Sequence, residues 1–302
     1  MVLQAIPSEY KSFVPADCKD WRQIVTLVED LPPMPHVASK LLVMIERPET
    51  PTPELEKVMS GDIALSALVL KIANSALFSR QRQITTLSQA VTLIGYKTLK
   101  GIIAAAAVKK FQRNTSEINK MIWYNSVGTA MAALTVATKL RKSYRDELFL
   151  LGLLSSLGQL ALLDQLPDQY DKVLDLIEQK GVDYAAAEFQ LFGYSHPLIG
   201  AMVAKKWNFS DEACQVILHC KDPVAGTKPQ TGVEEKTALV KLAHILAIKA
   251  GIGVFSGYPD VSSELKRVAI YVGFLPDGLE ETLESLSEEC QERFNSERHI
   301  YE

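Results

Sequence analysis

The chain has no Cys-x-x-Cys pair: its four cysteines, Cys18, Cys214, Cys220 and Cys290, are too scattered for zinc or dithiol chemistry of that spacing. Their scatter suits a reducing compartment. Neither sign of charge is in excess, since 32 Lys and Arg stand against 36 Asp and Glu for a formal net charge of -4. That balance gives no electrostatic reason to expect nucleic acid or an anionic membrane as a partner. Long unbroken apolar runs are missing as well. Residues 1–11 interleave Gln4, Pro7, Ser8 and Glu9 with apolar residues, unlike a secretory signal. The uncharged stretches 121–138 and 148–163 are interrupted by Asn125, Ser126, Ser155, Ser156 and Gln159, which favours buried helices over membrane spans. A cytoplasmic protein is the expectation.

Alternating runs rich in Val, Ile and Thr between hairpin turns are also absent, which argues against a β fold. What is present is apolar recurrence at three and four residues nearly throughout, the period of helices packed on one face, so the class is all-α. Prolines 32, 33 and 35 must break the first helix, and a second follows over 36–46. Thr52-Pro53-Glu54 reads as an N-cap, a proline at the first helical position and an early acid. Asp62 opens an apolar run over 63–78, and a short helix over 88–94 is stopped by Gly95. The four alanines 104–107 allow close helix approach. After a polar break at 112–116, helices are expected over 117–140, 146–164, 170–180, 184–192, 196–207, 210–220 and 234–250. An amphipathic acidic helix is expected over 276–292.

Four stretches share an order and spacing that carry more than any one alone. They are Leu31-Pro32-Pro33-Met34-Pro35, Leu70-Lys71-Ile72-Ala73-Asn74-Ser75, Gly152-Leu153-Leu154-Ser155-Ser156-Leu157-Gly158, and Gly193-Tyr194-Ser195-His196 with Gly200 and Trp207. Together they resemble the HD-related output domain (HDOD) family, a degenerate bacterial relative of the HD-domain metal-dependent phosphohydrolases, over about residues 21–250. The resemblance implies an HD-domain-like helical bundle with an additional N-terminal helical lobe. Its parts would be an extension at 1–20, the first lobe at 21–111, a degenerate HD-like lobe at 112–250 and a helical extension at 251–302.

In catalytic HD enzymes, histidines and aspartates hold a metal that polarises phosphate and activates water. The resemblance implies a first histidine where Asn125 stands and an adjacent His-Asp pair where Ser155 and Ser156 stand. Amide and hydroxyl are poor substitutes. His196, His219 and His244 are retained, the last about where a final aspartate would fall, and three imidazoles can hold a transition metal with open positions for water. Equally, His219 lies at the margin of an apolar face made by Ala213, Val216 and Ile217, and His244 within a heavily apolar helix, places where a histidine packs or hydrogen-bonds. Glu188 stands where the family often has an acid; it either orients His196 or sits on a helix surface. Ser155 and Ser156 lack a Gly-x-Ser-x-Gly elbow, and Asn74-Ser75 reads as local capping. Lys139, Arg141, Lys142 and Arg145 form the densest basic cluster and read as a solvated helix end. Gly251-Ile252-Gly253 follows no strand, so it is no dinucleotide fingerprint.

The expected function is therefore a non-catalytic signal-transduction module acting through protein–protein contact, with no cofactor. The resemblance implies signalling partners in cyclic-dinucleotide or receiver-domain networks, with input arriving in trans. Two alternatives stand beside it. One is a residual phosphohydrolase using His196, His219 and His244. The other is a nucleotide or phosphate sensor whose vacated metal pocket uses Asn125, Ser155, Ser156 and His196.

Overall fold

A computed structural model describes residues 6–14, 21–47, 49–75, 78, 83–109, 116–255 and 257–301. Cys18, the proposed lobe boundary at Phe111 and the break at 112–115 lie outside them. Among the described residues there is no strand. After a short 3-10 turn, the first lobe comprises α1 (Trp21–Asp30), α2 (His36–Ile45), α3 (Thr52–Met59), α4 (Ile63–Ala73) and α5 (Leu87–Lys109). The second runs through α6 (Glu117–Lys139), α7 (Arg145–Leu154), α8 (Leu157–Gln165), α9 (Pro167–Lys180), α10 (Tyr184–Phe192), α11 (His196–Lys206), α12 (Asp211–His219) and α13 (Gly232–Lys249). Helices α14 (Ser262–Tyr271) and α15 (Leu279–Tyr301) follow.

Side-chain caps start the helices that packing alone would leave ragged, because each supplies an acceptor for an otherwise unpaired N–H. Asp62 accepts from Leu65 N (3.1 Å), Asp183 from Ala186 N (2.8 Å) and Thr231 from Glu234 N (3.1 Å). Thr52 does not take that role. Pro51 is the residue at the cap, and the Thr52 hydroxyl is hydrogen-bonded to the Tyr96 phenol at 3.0 Å, tying α3 to α5. Within α5, Gly95 has φ +76° and ψ 165°, so the two helical segments meet there at a kink. Only glycine adopts that conformation freely.

Three elements differ from the sequence expectation. The apolar run starting at Ile63 stops being helical at Ala73, where Asn74 caps it and clamps the Ile84 backbone, donating to its carbonyl (2.8 Å) and accepting from its N–H (2.9 Å). The expected helix over 146–164 is two helices, α7 and α8, divided at Ser155 and Ser156. Ser155 Oγ donates back to the Gly152 carbonyl at 2.7 Å, the kind of local bond that competes with a continuing helix. Finally, α14 was not anticipated, and α15 extends to Tyr301.

The core is organised around α6, of which every residue from 125 to 137 is buried. It packs against α7, α8, α13 and α15. Helix α15 joins the two sets of helices, since the Tyr301 carbonyl accepts from Trp123 Nε1 of α6 (3.1 Å) and from Lys109 Nζ of α5 (2.8 Å). The lobes are clasped a second time by Lys206 on α11. Its ammonium donates to the carbonyls of Val28 (2.9 Å), Glu29 (2.9 Å) and Leu31 (2.8 Å), at the end of α1 where the prolines that follow supply no N–H. Two stretches, Leu87–Lys109 and Arg145–Gln165, are long and apolar enough to cross a membrane by composition; 56% and 89% of their apolar windows are buried inside the fold.

The tightest contact in the second lobe is between α8 and α11. A Cβ added to Gly158 would sit 1.9 Å from the His196 carbonyl and 2.4 Å from Gly200 N, so both backbones are already at the limit of approach. Gly158→Ala is expected to cost about 3 kcal/mol in urea denaturation, because backbone rather than a flexible side chain must yield. Gly232→Ala, with open space at its Cβ, should change stability by less than about 0.5 kcal/mol.

Candidate functional site

The site is built from the turn that joins α10 to α11. Gly193 ends α10 with φ +78°, and the chain reverses so that the N-terminus of α11 faces the side of α10 carrying Glu188. The cap residue Ser195 makes no side-chain cap bond there. Glu188 does the work from a distance. One carboxylate oxygen accepts from both the His196 backbone N–H (2.7 Å) and His196 Nδ1 (2.7 Å). The other accepts from the Tyr170 hydroxyl at 2.6 Å. Three donors and the positive end of a helix thus compensate a fully buried carboxylate. Burial, and then the Glu188 charge, hold the Tyr170 hydroxyl protonated by raising its pKa well above the usual 10.0.

Because Glu188 can only accept, Nδ1 of His196 carries the proton and Nε2 presents a lone pair. That Nε2 is buried without a hydrogen-bond partner. It lines a cavity of about 180 Å³ together with Gln159, Lys221, Lys241, His244 and the phenol rings of Tyr184 and Tyr258. Those two rings lie 5.6 Å apart, tilted by 34°. Gln159 Nε2 and His244 Nδ1 are buried and unpartnered too. Burial, followed by the nearby Lys221, His196 and Lys241, pushes His244 well below its ordinary 6.5 and keeps it neutral. Burial also pulls the Lys221 ammonium down to about 8. Lys241 is compensated, pairing with Glu264 (2.8 Å) and donating to the Lys221 carbonyl (2.9 Å).

The structure therefore brings together His196, His244 and Glu188, and leaves the other candidates elsewhere. His219 is exposed at the end of α12 and pairs with Asp222 of the same turn (2.7 Å); it does not line the cavity. The three histidines do not converge, because α12 turns its apolar face, Ala213, Cys214, Val216 and Ile217, into the core and His219 outward. Asn125 sits behind the cavity, where its amide donates to the Ile252 carbonyl (3.1 Å), and it lines a void of about 10 Å³ shared with Gln159 and His244. The Gly251-Ile252-Gly253 triplet serves that contact. Gly253, at φ +62°, lies so close to α6 that a Cβ would be 2.4 Å from Asn125 N. Ser155 is spent on the Gly152 carbonyl, and the Ser156 hydroxyl is buried without a partner.

The basic cluster is dispersed in the same way, with Lys142 held by Glu235 (2.6 Å) and Arg145 beside Asp146 (3.7 Å). Residues the sequence reading passed over are Gln159, Lys221 and Lys241. Gln159 lay inside a stretch read only as buried helix, and Lys221 stood at the start of a segment read as surface loop. A catalytic divalent metal does not fit this donor set. Among the described residues no three His, Cys, Asp or Glu side chains come together to hold one, and Lys221 and Lys241 beside His196 and His244 repel a cation.

A family model for the HDOD domain matches residues 31–223. An uncharacterized protein of Treponema pallidum (strain Nichols) is 23% identical over 199 residues, which is 64% of this chain and 38% of that protein. Among solved structures, an HDOD domain protein of unknown function from Geobacter sulfurreducens superposes with a TM-score of 0.71 at 22% identity, covering 91% of this chain and 98% of that one. A Shewanella amazonensis SB2B protein named provisionally as a phosphohydrolase gives 0.67 at 23% identity, covering 90% and 97%. A Marinobacter aquaeolei VT8 protein named provisionally as a signal transduction protein gives 0.66 at 19% identity, covering 93% and 65%. These structural likenesses match the all-helical architecture implied by the four sequence stretches.

Glu188 is the group whose loss the site should feel most. Glu188→Ala leaves Tyr170, the His196 N–H and Nδ1 without an acceptor and is expected to cost about 3 kcal/mol or more, whereas Glu188→Gln, which keeps one acceptor oxygen, should cost about 1 to 2 kcal/mol. Nitrogen NMR of the imidazole should report the Nδ1-protonated form in the parent and a mixture in Glu188→Gln. Equal stability of the two variants would show that the network does not hold the turn.

Proposed function

Because this chain belongs to the HDOD domain family, we propose that it is a non-catalytic regulatory module of bacterial signal transduction, working in the cytoplasm through contact with other proteins. The observation that carries the proposal is the break between α7 and α8. Where the resemblance implies a His-Asp pair, one serine hydroxyl is bonded to the Gly152 carbonyl and the other is sealed in the core. Metal-assisted hydrolysis needs a charged ligand set that activates water. The residues around His196 offer a second imidazole, an amide and two lysines, and the carboxylates that also line the space are engaged elsewhere, Glu264 by Lys241, Asp183 at the cap of α10 and Asp260 by Ser262.

The contact surface we assign is the seam between the lobes. A cavity of about 490 Å³ opens there, with walls from Ile72, Leu93, Ile102 and Phe149 and with Arg145 and Arg293 among its lining. Apolar walls with guanidinium groups suit a partner segment that brings an apolar side chain beside a carboxylate. Partners are proposed among signalling proteins of a cyclic-dinucleotide or receiver-domain network, with neither nucleic acid nor membrane required.

The name given to the Shewanella relative keeps the hydrolase alternative in view, and one preparation separates the two. Protein purified without chelators is expected to hold substoichiometric metal and to hydrolyse neither phosphomonoesters nor cyclic dinucleotides when manganese, nickel or iron is added. A photo-crosslinker at Thr138, an exposed residue lining the seam, should capture a signalling protein in cells. Metal-dependent turnover abolished by His196→Ala, with no crosslinked partner, would overturn the proposal.

A further inference from the structure

We propose that the cavity between α8, α10, α11 and α13 is a binding site for a singly charged, protonated oxyanion, either inorganic phosphate or the phosphate end of a phosphomonoester. The inference rests on the site being non-catalytic and names what it takes. His196 Nε2 and His244 Nδ1 are buried without hydrogen-bond partners, and Gln159 Nε2, though beside the Tyr170 hydroxyl, makes no hydrogen bond of normal geometry; all three belong to residues lining one space. Buried polar groups are nearly always paired, so such a convergence points to a ligand that pairs them.

The pattern of donors and acceptors narrows the chemistry. Gln159 and the Lys221 ammonium only donate at these atoms, which calls for oxygens carrying negative charge. His196 Nε2, with its proton committed to Glu188 on the far side of the ring, only accepts, which calls for a hydroxyl on the same ligand. His244, neutral, takes either part. A singly charged phosphate group, dihydrogen phosphate or a monoester that keeps one P–OH, supplies both kinds of group within one tetrahedron, whereas an ionised carboxylate or sulfate supplies no donor. The acids nearby limit the charge. Glu264 is paired with Lys241, Asp183 caps α10, and Asp260 accepts from the Ser262 hydroxyl at 2.7 Å. Among the described residues no carboxylate pairs directly with Lys221, although Asp183 and Glu188 lie close enough to act on its charge, and with Glu188 behind His196 the surroundings disfavour a doubly charged guest. Space is sufficient, because a single water needs roughly 10 to 15 Å³ of such volume and the cavity has about 180 Å³.

Isothermal titration of the full chain near pH 6 with inorganic phosphate, with adenosine 5′-monophosphate and with sulfate tests the site and its source together. Phosphate or the nucleotide should bind at least about ten-fold more tightly than sulfate, the discrimination of one hydrogen bond to a charged group. The tighter of the two identifies the free or the esterified ligand. Lys221→Met and Gln159→Leu should each weaken binding by about ten-fold or more while the melting temperature of the unliganded protein holds. No heat with either phosphate, equal affinity for sulfate, indifference to both variants, or a crystal structure from phosphate with ordered water only would each overturn the inference. Binding is read without turnover or a partner, so phosphoester hydrolysis would sink the non-catalytic reading and leave the site, while absent binding in an inert protein would sink the site alone.

Discussion

The second lobe depends on one contact, the backbone of α8 against the backbone of α11 at Gly158, His196 and Gly200. At that separation no side chain fits between the two helices, and packed interiors transmit such a constraint because they are not compressible. Once α11 is pressed on α8, its first residue is fixed in space, and Glu188 then settles its ring. Gln159, the residue after the glycine, is brought to the cavity that His196 lines. The glycines of the 152–158 segment are therefore explained by proximity alone. A Cβ on Gly152 would likewise lie 3.0 Å from the backbone of Ala130 and Thr129 on α6. A segment with two such contacts keeps its shape under selection for folding whether or not its polar positions bind anything.

Much of the architecture was legible because helices announce themselves through local chemistry. Asp62, Asp183 and Thr231 are short acceptors ahead of apolar periods, and each caps a helix as that pattern implies. The division of 146–164 was hidden because Ser155 and Ser156 sit in an unbroken apolar period, and only the bond from Ser155 back to Gly152 shows that the helix ends. Helix α14 was hidden because no capping side chain marks its start, Val261 standing at that position, although Leu265, Val268 and Ala269 keep helical spacing. At the site, Glu188 was legible as an acid near His196, but not as a group buried beneath it. His219 looked equivalent to its companions because sequence spacing does not say which way a residue at the margin of an apolar face turns. Lys221 was invisible for a related reason, since a residue following a helix reads as solvent-facing until another element covers it.

The replacement of a His-Asp pair by two serines, implied by the family resemblance, also changes what the neighbouring groups can tolerate. A divalent cation would make Lys221 and Lys241 costly neighbours; without one, desolvated ammonium groups become the natural counterpart of a negative guest. His244 follows the same logic: burial first, and then the two lysines and His196 beside it, hold it well below the ordinary imidazole value.

Helix α6 connects this change to the rest of the molecule. Its residue Asn125 lines the small void beside the His196 cavity, and one end of it, through Leu134 and Thr138, forms part of the seam between the lobes. Ser126 of the same helix donates to the Leu153 carbonyl at 2.6 Å, just before the serine break, so α7 is tied to it at that point. The small void and the seam thus share one buried, nearly incompressible wall, while the His196 cavity lies one layer beyond it, behind Gln159 and His244. Contiguity of this kind is a physical condition for coupling and not coupling itself, which requires that the two sites favour different arrangements of the shared element. The serine break is where such a difference would be accommodated at least cost, since two short helices joined by non-helical backbone can pivot where a continuous helix must bend.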